Sequence, residues 1–302
     1  MPTELASKLS LWSGLQVADV EHLMRTAPRR YKVFRIPKRN GGDRVVAQPS
    51  RELKMLQRLV VERIINDLPV HDAVHGYVAG RGIKSNAAQH ADSNFILKMD
   101  FSDFFPSIRP GDFGRHLKRY LHTPLNAIER VQLYRLLFWR PKGESSLRLC
   151  IGAPSSPFVS NTIMFRLDEI FCSAAKVQGI TYTRYADDLT FSCRHKGVLG
   201  DFEHEIRRYV SQIRSPRLVI NENKTVHISR AQRRMVTGVV ISSTGALSLG
   251  RDRKRLIRSM AFRANRGLLS RDEEMELSGL LSFAHDIEPV FAQKMRLRLV
   301  RS

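Results

Sequence analysis

Acidic side chains are scarce in this 302-residue chain: 29 Asp and Glu stand against 50 Lys and Arg, a formal net charge of +21. So large a positive excess on an enzyme-sized chain is expected to meet a polyanion, nucleic acid first and a membrane surface second. Long hydrophobic runs are missing, which weakens the membrane option. The longest apolar stretches, such as Leu136–Trp139 and Val236–Ile241, fall far short of the ~20 residues a span requires. The first ten residues show no basic segment followed by an apolar core, so no signal peptide is expected. Cysteine is nearly absent. Cys150, Cys172 and Cys193 are odd in number and widely spaced, which excludes a disulfide framework and a zinc ribbon and points to a reducing cytoplasm. No fixed-period repeat or low-complexity tract stands out either, which argues against a solenoid.

What the chain does have is a 42% hydrophobic share, enough to bury a sizeable core in two or three compact domains of about 100–150 residues. Two alternating runs around Asn40-Gly41-Gly42 predict a β-hairpin over residues 31–46, and Leu53, Leu56, Val60 and Ile64 mark one stripe of a following helix. Asn94 to Asp100 alternates as a strand ending in a carboxylate, with Phe95, Leu97 and Met99 on one side and Ile96, Lys98 and Asp100 on the other. Further helices are expected after Pro110 (Phe113, Leu117, Leu121), from Pro157 through Ala174, and from an Asp201 cap through Ile213. Short strands are expected at 218–220, 226–228 and 236–241. From Gly250 onward the pattern is helical and basic, with Ser270-Arg271-Asp272-Glu273 reading as a capping box. Mixed strands and helices followed by a helical tail predict an α+β core with a separate C-terminal helical module.

The stretch richest in chemistry is Arg184-Tyr185-Ala186-Asp187-Asp188, flanked by β-rich arms between Ile180 and Cys193. Neighbouring residues of a strand point to opposite faces, but at a hairpin tip two carboxylates can crowd together, and like charges that close call for cations. Asp100, at the end of another strand, is the candidate third ligand. Hard oxygen donors without a Cys or His cluster suit Mg²⁺ rather than zinc. An isolated Asp-Asp pair is equally at home in a turn chosen for its geometry; the surrounding blocks decide the matter.

Those blocks resemble a reverse transcriptase, and within that class a bacterial retron reverse transcriptase. In the family's order the chain shows Ile36-Pro37-Lys38 with Gly42-Asp43-Arg44, then His75-Gly76-Tyr77 and Gly80-Arg81-Gly82-Ile83. Asn86-Ala87-Ala88-Gln89-His90 and Asp100-Phe101-Ser102-Asp103-Phe104-Phe105-Pro106-Ser107-Ile108 follow. Next come Gly152-Ala153-Pro154-Ser155-Ser156-Pro157 and Ser160-Asn161, then Tyr185-Ala186-Asp187-Asp188, Asn221-Glu222-Asn223-Lys224-Thr225 and Val236-Thr237-Gly238. The Asn-Ala-x-x-His and Val-Thr-Gly elements point to retrons. One departure is Ile151, where the family's usual Pro-Gln-Gly carries glutamine; the pocket is expected to keep its shape and lose one polar contact.

The resemblance implies a right-hand polymerase fold: fingers over 1–92, palm over 93–230 with a fingers-like insertion around 117–148, and a helical thumb over 231–302. It implies that Asp100, Asp187 and Asp188 bind two Mg²⁺ ions, with Mn²⁺ as a substitute and the Phe101 carbonyl as an extra oxygen. Phe105 falls where an aromatic ring excludes a ribose 2′-hydroxyl. Lys38 and Arg44 would neutralise the triphosphate, the backbone around Asp103 and Phe104 would touch phosphates, and Lys224 would assist the leaving pyrophosphate. Asn86 and His90, one helical turn apart, are assigned either to RNA contact or to structural bonding within the fingers. Arg251, Lys254, Arg255 and Arg258 form one flank of a thumb helix, opposite Leu256, Met260 and Leu268, suited to a phosphate backbone. The acidic residues Asp272, Glu273, Glu274 and Glu276 would face away from nucleic acid or touch another protein.

By the same resemblance the template is a structured noncoding RNA, copied from dNTPs into DNA that starts on a guanosine 2′-hydroxyl. The product would be a branched RNA–DNA chimera (msDNA) serving anti-phage defence in the bacterial cytoplasm. Residues 239–302 leave no room for an RNase H domain, so an external RNase H is expected, as is a separate effector protein from the same operon. Competing readings are an RNA–DNA-binding scaffold that restrains the effector, and a non-retron bacterial reverse transcriptase.

Overall fold

A computed structural model of the protein describes residues 1–38 and 41–300. The chain divides into two compact units, each assembled from three stretches of sequence.

The first unit takes in residues 1–72, 101–171 and 206–221. It opens with helices Glu4–Ser13 and Val17–Thr26. Thr3 caps the first of these by accepting from the Ala6 N–H, and Gly14 closes it at φ 72°, a left-handed turn that glycine adopts without strain. The hairpin follows as β1 (Tyr31–Pro37) and β2 (Asp43–Pro49), paired antiparallel from Tyr31 opposite Pro49 to Pro37 opposite Asp43. Asn40 of its turn lies outside the described residues; Lys38 N–H donates to the Gly42 carbonyl at 2.9 Å. Ser50 caps helix Arg51–Arg63, whose Leu53, Leu56 and Val60 are fully buried. Ile64 lies just past the helix end, and Ile65 enters the core in its place.

The base of β2 is seated against the segment Cys150–Gly152: Ala47 N–H donates to the Ile151 carbonyl at 2.8 Å. Gly152 has φ 114°, and a Cβ there would stand 2.8 Å from the Ala47 carbonyl oxygen. Backbone strain and collision combine at this position. Gly152→Ala is therefore expected to cost about 2–3 kcal/mol in denaturant unfolding.

The second unit takes in residues 73–100, 172–205 and 222 onward. Its main sheet is antiparallel, built from β3 (Phe95–Asp100), β4 (Thr181–Tyr185), β5 (Asp188–Cys193) and β6 (Val226–Ser229) in the order β4-β5-β3-β6. β3 lies inside the sheet, and Ile96, Leu97, Met99 and Asp100 are all buried, so it is covered on both faces rather than alternating in and out. A smaller sheet holds β7 (Arg234–Val236), β8 (Val239–Ile241) and β9 (Leu247–Ser248). Helices Arg251–Ala264, Arg271–Ile287 and Pro289–Val300 complete the unit. Val236, Val239, Ile241, Ile257, Met260, Leu277, Leu281 and Ala284 share one apolar core.

Several sequence expectations are corrected. The strand expected at 236–241 is two strands, because Thr237 (φ 45°) and Gly238 (φ 81°) turn the chain between them. Residues 218–220 make only a single bridge, from Ile220 to Phe101. The helix expected from Pro157 is interrupted at Met164, giving Ser156–Ile163 and Phe165–Val177. Asp201 lies in the first turn of helix Val198–Gln212 rather than at its cap. The buried stripe of helix Arg251–Ala264 runs through Ile257, Met260 and Ala261, while Leu256 and Leu268 are exposed. The capping box stands: Ser270 and Glu273 bond each other's backbone N–H groups.

Candidate active site

The pairing of β3 with β5 sets Asp100 directly opposite Asp188, and the pairing of β4 with β5 closes on Tyr185 opposite Asp188. Ala186 and Asp187 are therefore the two central residues of a tight hairpin turn. Ala186 has φ 57°, positive at the first central position as in a II′ turn, where glycine is usual. Holding alanine there costs on the order of 1–3 kcal/mol, so the surroundings must impose it. They do so through a segment on the edge of β4. Arg184 N–H donates to the Ala73 carbonyl and His75 N–H to the Arg184 carbonyl, each at 2.8 Å. The fully buried Arg184 guanidinium donates from Nη1 to the Ala186 carbonyl at 3.0 Å. Gly76 passes so close that a Cβ on it would lie 2.8 Å from the Ala186 nitrogen.

Three carboxylates are gathered in this way from strand ends far apart in sequence. Asp100 is 3% exposed, and its Oδ2 accepts from Lys224 Nζ at 2.8 Å. Burial, then the charges of Asp187 and Asp100, push the Asp188 carboxyl up to about 6. Burial works against the Lys224 ammonium, but the hydrogen bond to Asp100 and the charges of Asp100, Asp187 and Asp188 outweigh it and hold the ammonium above its ordinary range. Crowding of this kind marks a site short of positive charge, and its all-oxygen donors match a hard divalent ion. Among the described residues, no three His, Cys, Asp or Glu side chains are grouped as a ready-made metal cage; Lys224 holds one of the Asp100 oxygens.

Asn86 and His90 are buried, at 1% and 0% exposure, which favours the structural of the two roles the sequence left open. His90 bridges Ser192 Oγ through Nδ1 and Thr183 Oγ1 through Nε2, both at 2.7 Å, tying the helix end to β4 and β5. Asn86 Nδ2 donates to Thr237 Oγ1 at 3.3 Å, so the Asn-Ala-x-x-His and Val-Thr-Gly elements are packing partners. Burial, with a lesser push from His75, lowers His90 to about 3. Unfolded His90 takes a proton near pH 6.5 and folded His90 refuses it until about 3, so stability is full above that window and falls as pH drops through it. The wild type is expected to lose up to about 1.4 kcal/mol per pH unit there from this residue. His90→Gln, weaker at pH 7, should show a shallower acid slope in denaturant titrations.

Other candidate residues occupy varied settings. Lys38 and Arg44 are exposed on the hairpin of the first unit. Asp103, exposed at φ 46°, opens the short helix Phe104–Ser107. Phe101 and Phe104 are buried and stacked, with ring centroids 6.0 Å apart, and half-buried Phe105 meets Phe104 edge-on at 5.4 Å. Arg251, Arg255 and Arg258 are exposed. Lys254 is committed within the unit, 2.5 Å from Glu288. Glu273 is likewise bound within the chain, to Arg263 at 2.8 Å. Sequence reasoning quoted Gly76 and Arg184 inside their motifs without giving either a role; only the contacts with Ala186 reveal one.

The comparisons with known proteins agree. The family described as reverse transcriptase (RNA-dependent DNA polymerase) matches residues 36–241. Retron Ec83 reverse transcriptase of Escherichia coli is 39% identical over 280 residues, covering 92% of this chain and 89% of that one. Retron Mx65 reverse transcriptase of Myxococcus xanthus is 35% identical, covering 98% and 70%. Among solved structures, telomerase from Candida albicans superposes with a TM-score of 0.51 at 12% identity, covering 88% of this chain and 56% of that chain, a likeness of fold alone. Among the described residues, no helix is long and apolar enough to cross a membrane. With Tyr185-Ala186-Asp187-Asp188 at a strained hairpin tip and relatives alike over nearly the whole length, the chain belongs to the retron reverse transcriptases, right-hand-fold enzymes that polymerise DNA on RNA.

Proposed function

We propose that Asp100, Asp187 and Asp188 are the catalytic carboxylates of two-metal nucleotidyl transfer, working with Mg²⁺ or, as a substitute, Mn²⁺. The observation that carries this reading is the facing pair Asp100–Asp188 beside the Asp187 turn, with Lys224 on Asp100. When bound, the divalent ions would lower the barrier to in-line attack by a 3′-hydroxyl on the α-phosphate. The chain supplies the rest. Asp100, Asp187 and Asp188, with the Phe101 carbonyl, offer oxygens to the ions. Lys224, cationic beside them, gives charge or a proton to the departing pyrophosphate. Lys38 and Arg44 neutralise the triphosphate, the backbone at Asp103 and Phe104 meets phosphates, and the Phe105 ring excludes a ribose 2′-hydroxyl.

Residues 1–92, 93–230 and 231–302 serve as fingers, palm and thumb, and the exposed Arg251, Arg255 and Arg258 track a phosphate backbone. The template is a structured noncoding RNA, DNA synthesis starts on a guanosine 2′-hydroxyl, and the branched msDNA product acts with an effector protein in cytoplasmic anti-phage defence. RNA is cleared from the hybrid by an external RNase H. The relatives' names support the retron assignment. Nucleic acid extracted from the purified protein tests it: RNase should leave DNA whose 5′ end carries a residue released only by a 2′–5′ debranching enzyme. DNA with an ordinary unbranched 5′ end would overturn the retron priming.

A further inference from the structure

The first unit contains a 670 Å³ cavity that takes no part in the catalytic site. Two segments frame it: residues 28–33, leading from the turn Ala27–Arg29 into β1, and residues 139–144. The segments are fastened by the Arg140 N–H, which donates to the Pro28 carbonyl at 2.9 Å, and Trp139 is bonded in both directions to the Arg148 backbone. The cavity is therefore built into ordered backbone, and its volume falls within the range typical of small-molecule sites, ~300–1,000 Å³.

Its lining joins two kinds of chemistry. Tyr31 and Trp139 supply aromatic rings, with centroids 6.1 Å apart. Arg29, Arg140 and Lys142 supply three cations, of which Arg29 and Lys142 are exposed. The acidic residue of the lining, Glu144, is bound to Arg148. The indole N–H of Trp139 and the Nε–H of Arg140 have no hydrogen-bond acceptor among the described residues, and buried donors are costly to leave so. Aromatic surface beside clustered cations is the means by which proteins hold unpaired nucleotides, the base stacking and the phosphate meeting the charges.

We infer that this cavity is a binding site for an unpaired nucleotide of single-stranded RNA, separate from the polymerising centre. The base lies against the Tyr31–Trp139 side, and the flanking phosphates meet Arg29, Arg140 and Lys142. The inference rests on the reading of the chain as an enzyme that handles RNA. A duplex cannot enter, because its bases are already stacked and paired. The site thus selects single-stranded stretches of a folded RNA and fixes where that RNA sits on the protein.

The sequence holds only two tryptophans, Trp12 and Trp139, so Trp12→Phe makes Trp139 the sole indole reporter in the full chain. Titration with a fluorescein-labelled single-stranded oligouridylate should quench Trp139 emission in step with the rise in fluorescein anisotropy. A double-stranded RNA, or inorganic phosphate alone, should leave the emission unchanged. Adding Arg140→Ala and Lys142→Ala should weaken the quench about tenfold and reduce the log–log salt slope by about 1.4, near 0.7 for each lost phosphate contact. Lys142→Glu alone, at an exposed position, gives the same direction of change should the double variant fold poorly. Oligouridylate that raises anisotropy without touching Trp139 emission would overturn the site and leave the polymerase reading intact. Equal quenching by duplex RNA would overturn it as well. An absence of any RNA binding would count against both.

Discussion

Asp187→Asn together with Asp188→Asn is expected to reduce nucleotide incorporation on an RNA template below detection, with a melting temperature no lower than that of the wild type. Removal of even one preorganised electrostatic group from an acyl-transfer centre costs about 10²–10³-fold, and this pair contributes two of three carboxylates. The fold should not suffer. Asp188 is half-buried beside Asp100 and Asp187, and burial, then the charges of Asp187 and Asp100, raise its carboxyl, so neutral amides relieve a repulsion that the folded state bears at neutral pH. The diagnostic result is the split between the two readouts, with primer extension lost and thermal stability kept. A variant that still extends primers would show that the facing carboxylates are not the catalytic ones.

Gly76→Ala should give the next largest loss without altering any group that could touch a substrate. A methyl group at this position would stand 2.8 Å from the Ala186 nitrogen and 3.3 Å from the Tyr185 backbone. No flexible side chain can move out of the way, so the turn that presents Asp187 must shift. A displacement of about 1 Å at reacting groups costs on the order of 10²-fold. The expected result is a kcat lowered about 100-fold, at a stability cost of about 1–3 kcal/mol. Gly82→Ala is the matched control: a Cβ there meets nothing within 4 Å, and that variant should polymerise like the wild type.

Much of the site was legible locally. A strand ending in Asp100, two β-rich arms around Ala186-Asp187-Asp188, and a lysine in the Asn-Glu-Asn-Lys block are one-dimensional patterns, and the structure brings these residues together. What could not be read were relations across distance. Asn86 and His90 sit one helical turn apart with polar side chains, which looks alike for an RNA-facing residue and for one whose partners lie elsewhere. Only the placement of Thr183, Ser192 and Thr237 makes them internal braces. Period-2 alternation in β3 separates its two sides, but nothing local reveals that both are covered. The break between β7 and β8 was hidden for a related reason. Thr237 carries a positive φ that β-branched residues seldom adopt, and the Val-Thr-Gly stretch reads as continuous strand. Ion pairing hid Lys254 in the same way: its sequence neighbours make it one of a row of cations, while Glu288, more than thirty residues on, claims it.

Divalent-ion binding tests the central claim most directly. Mn²⁺ is titrated against the full-length protein loaded with a primer–template and a non-hydrolysable dNTP, and bound metal is counted by electron paramagnetic resonance. The wild type should hold two ions per chain that the Asp187→Asn, Asp188→Asn protein cannot hold. Equal numbers and affinities in the two proteins would contradict the assignment of these carboxylates as the metal-binding, catalytic group.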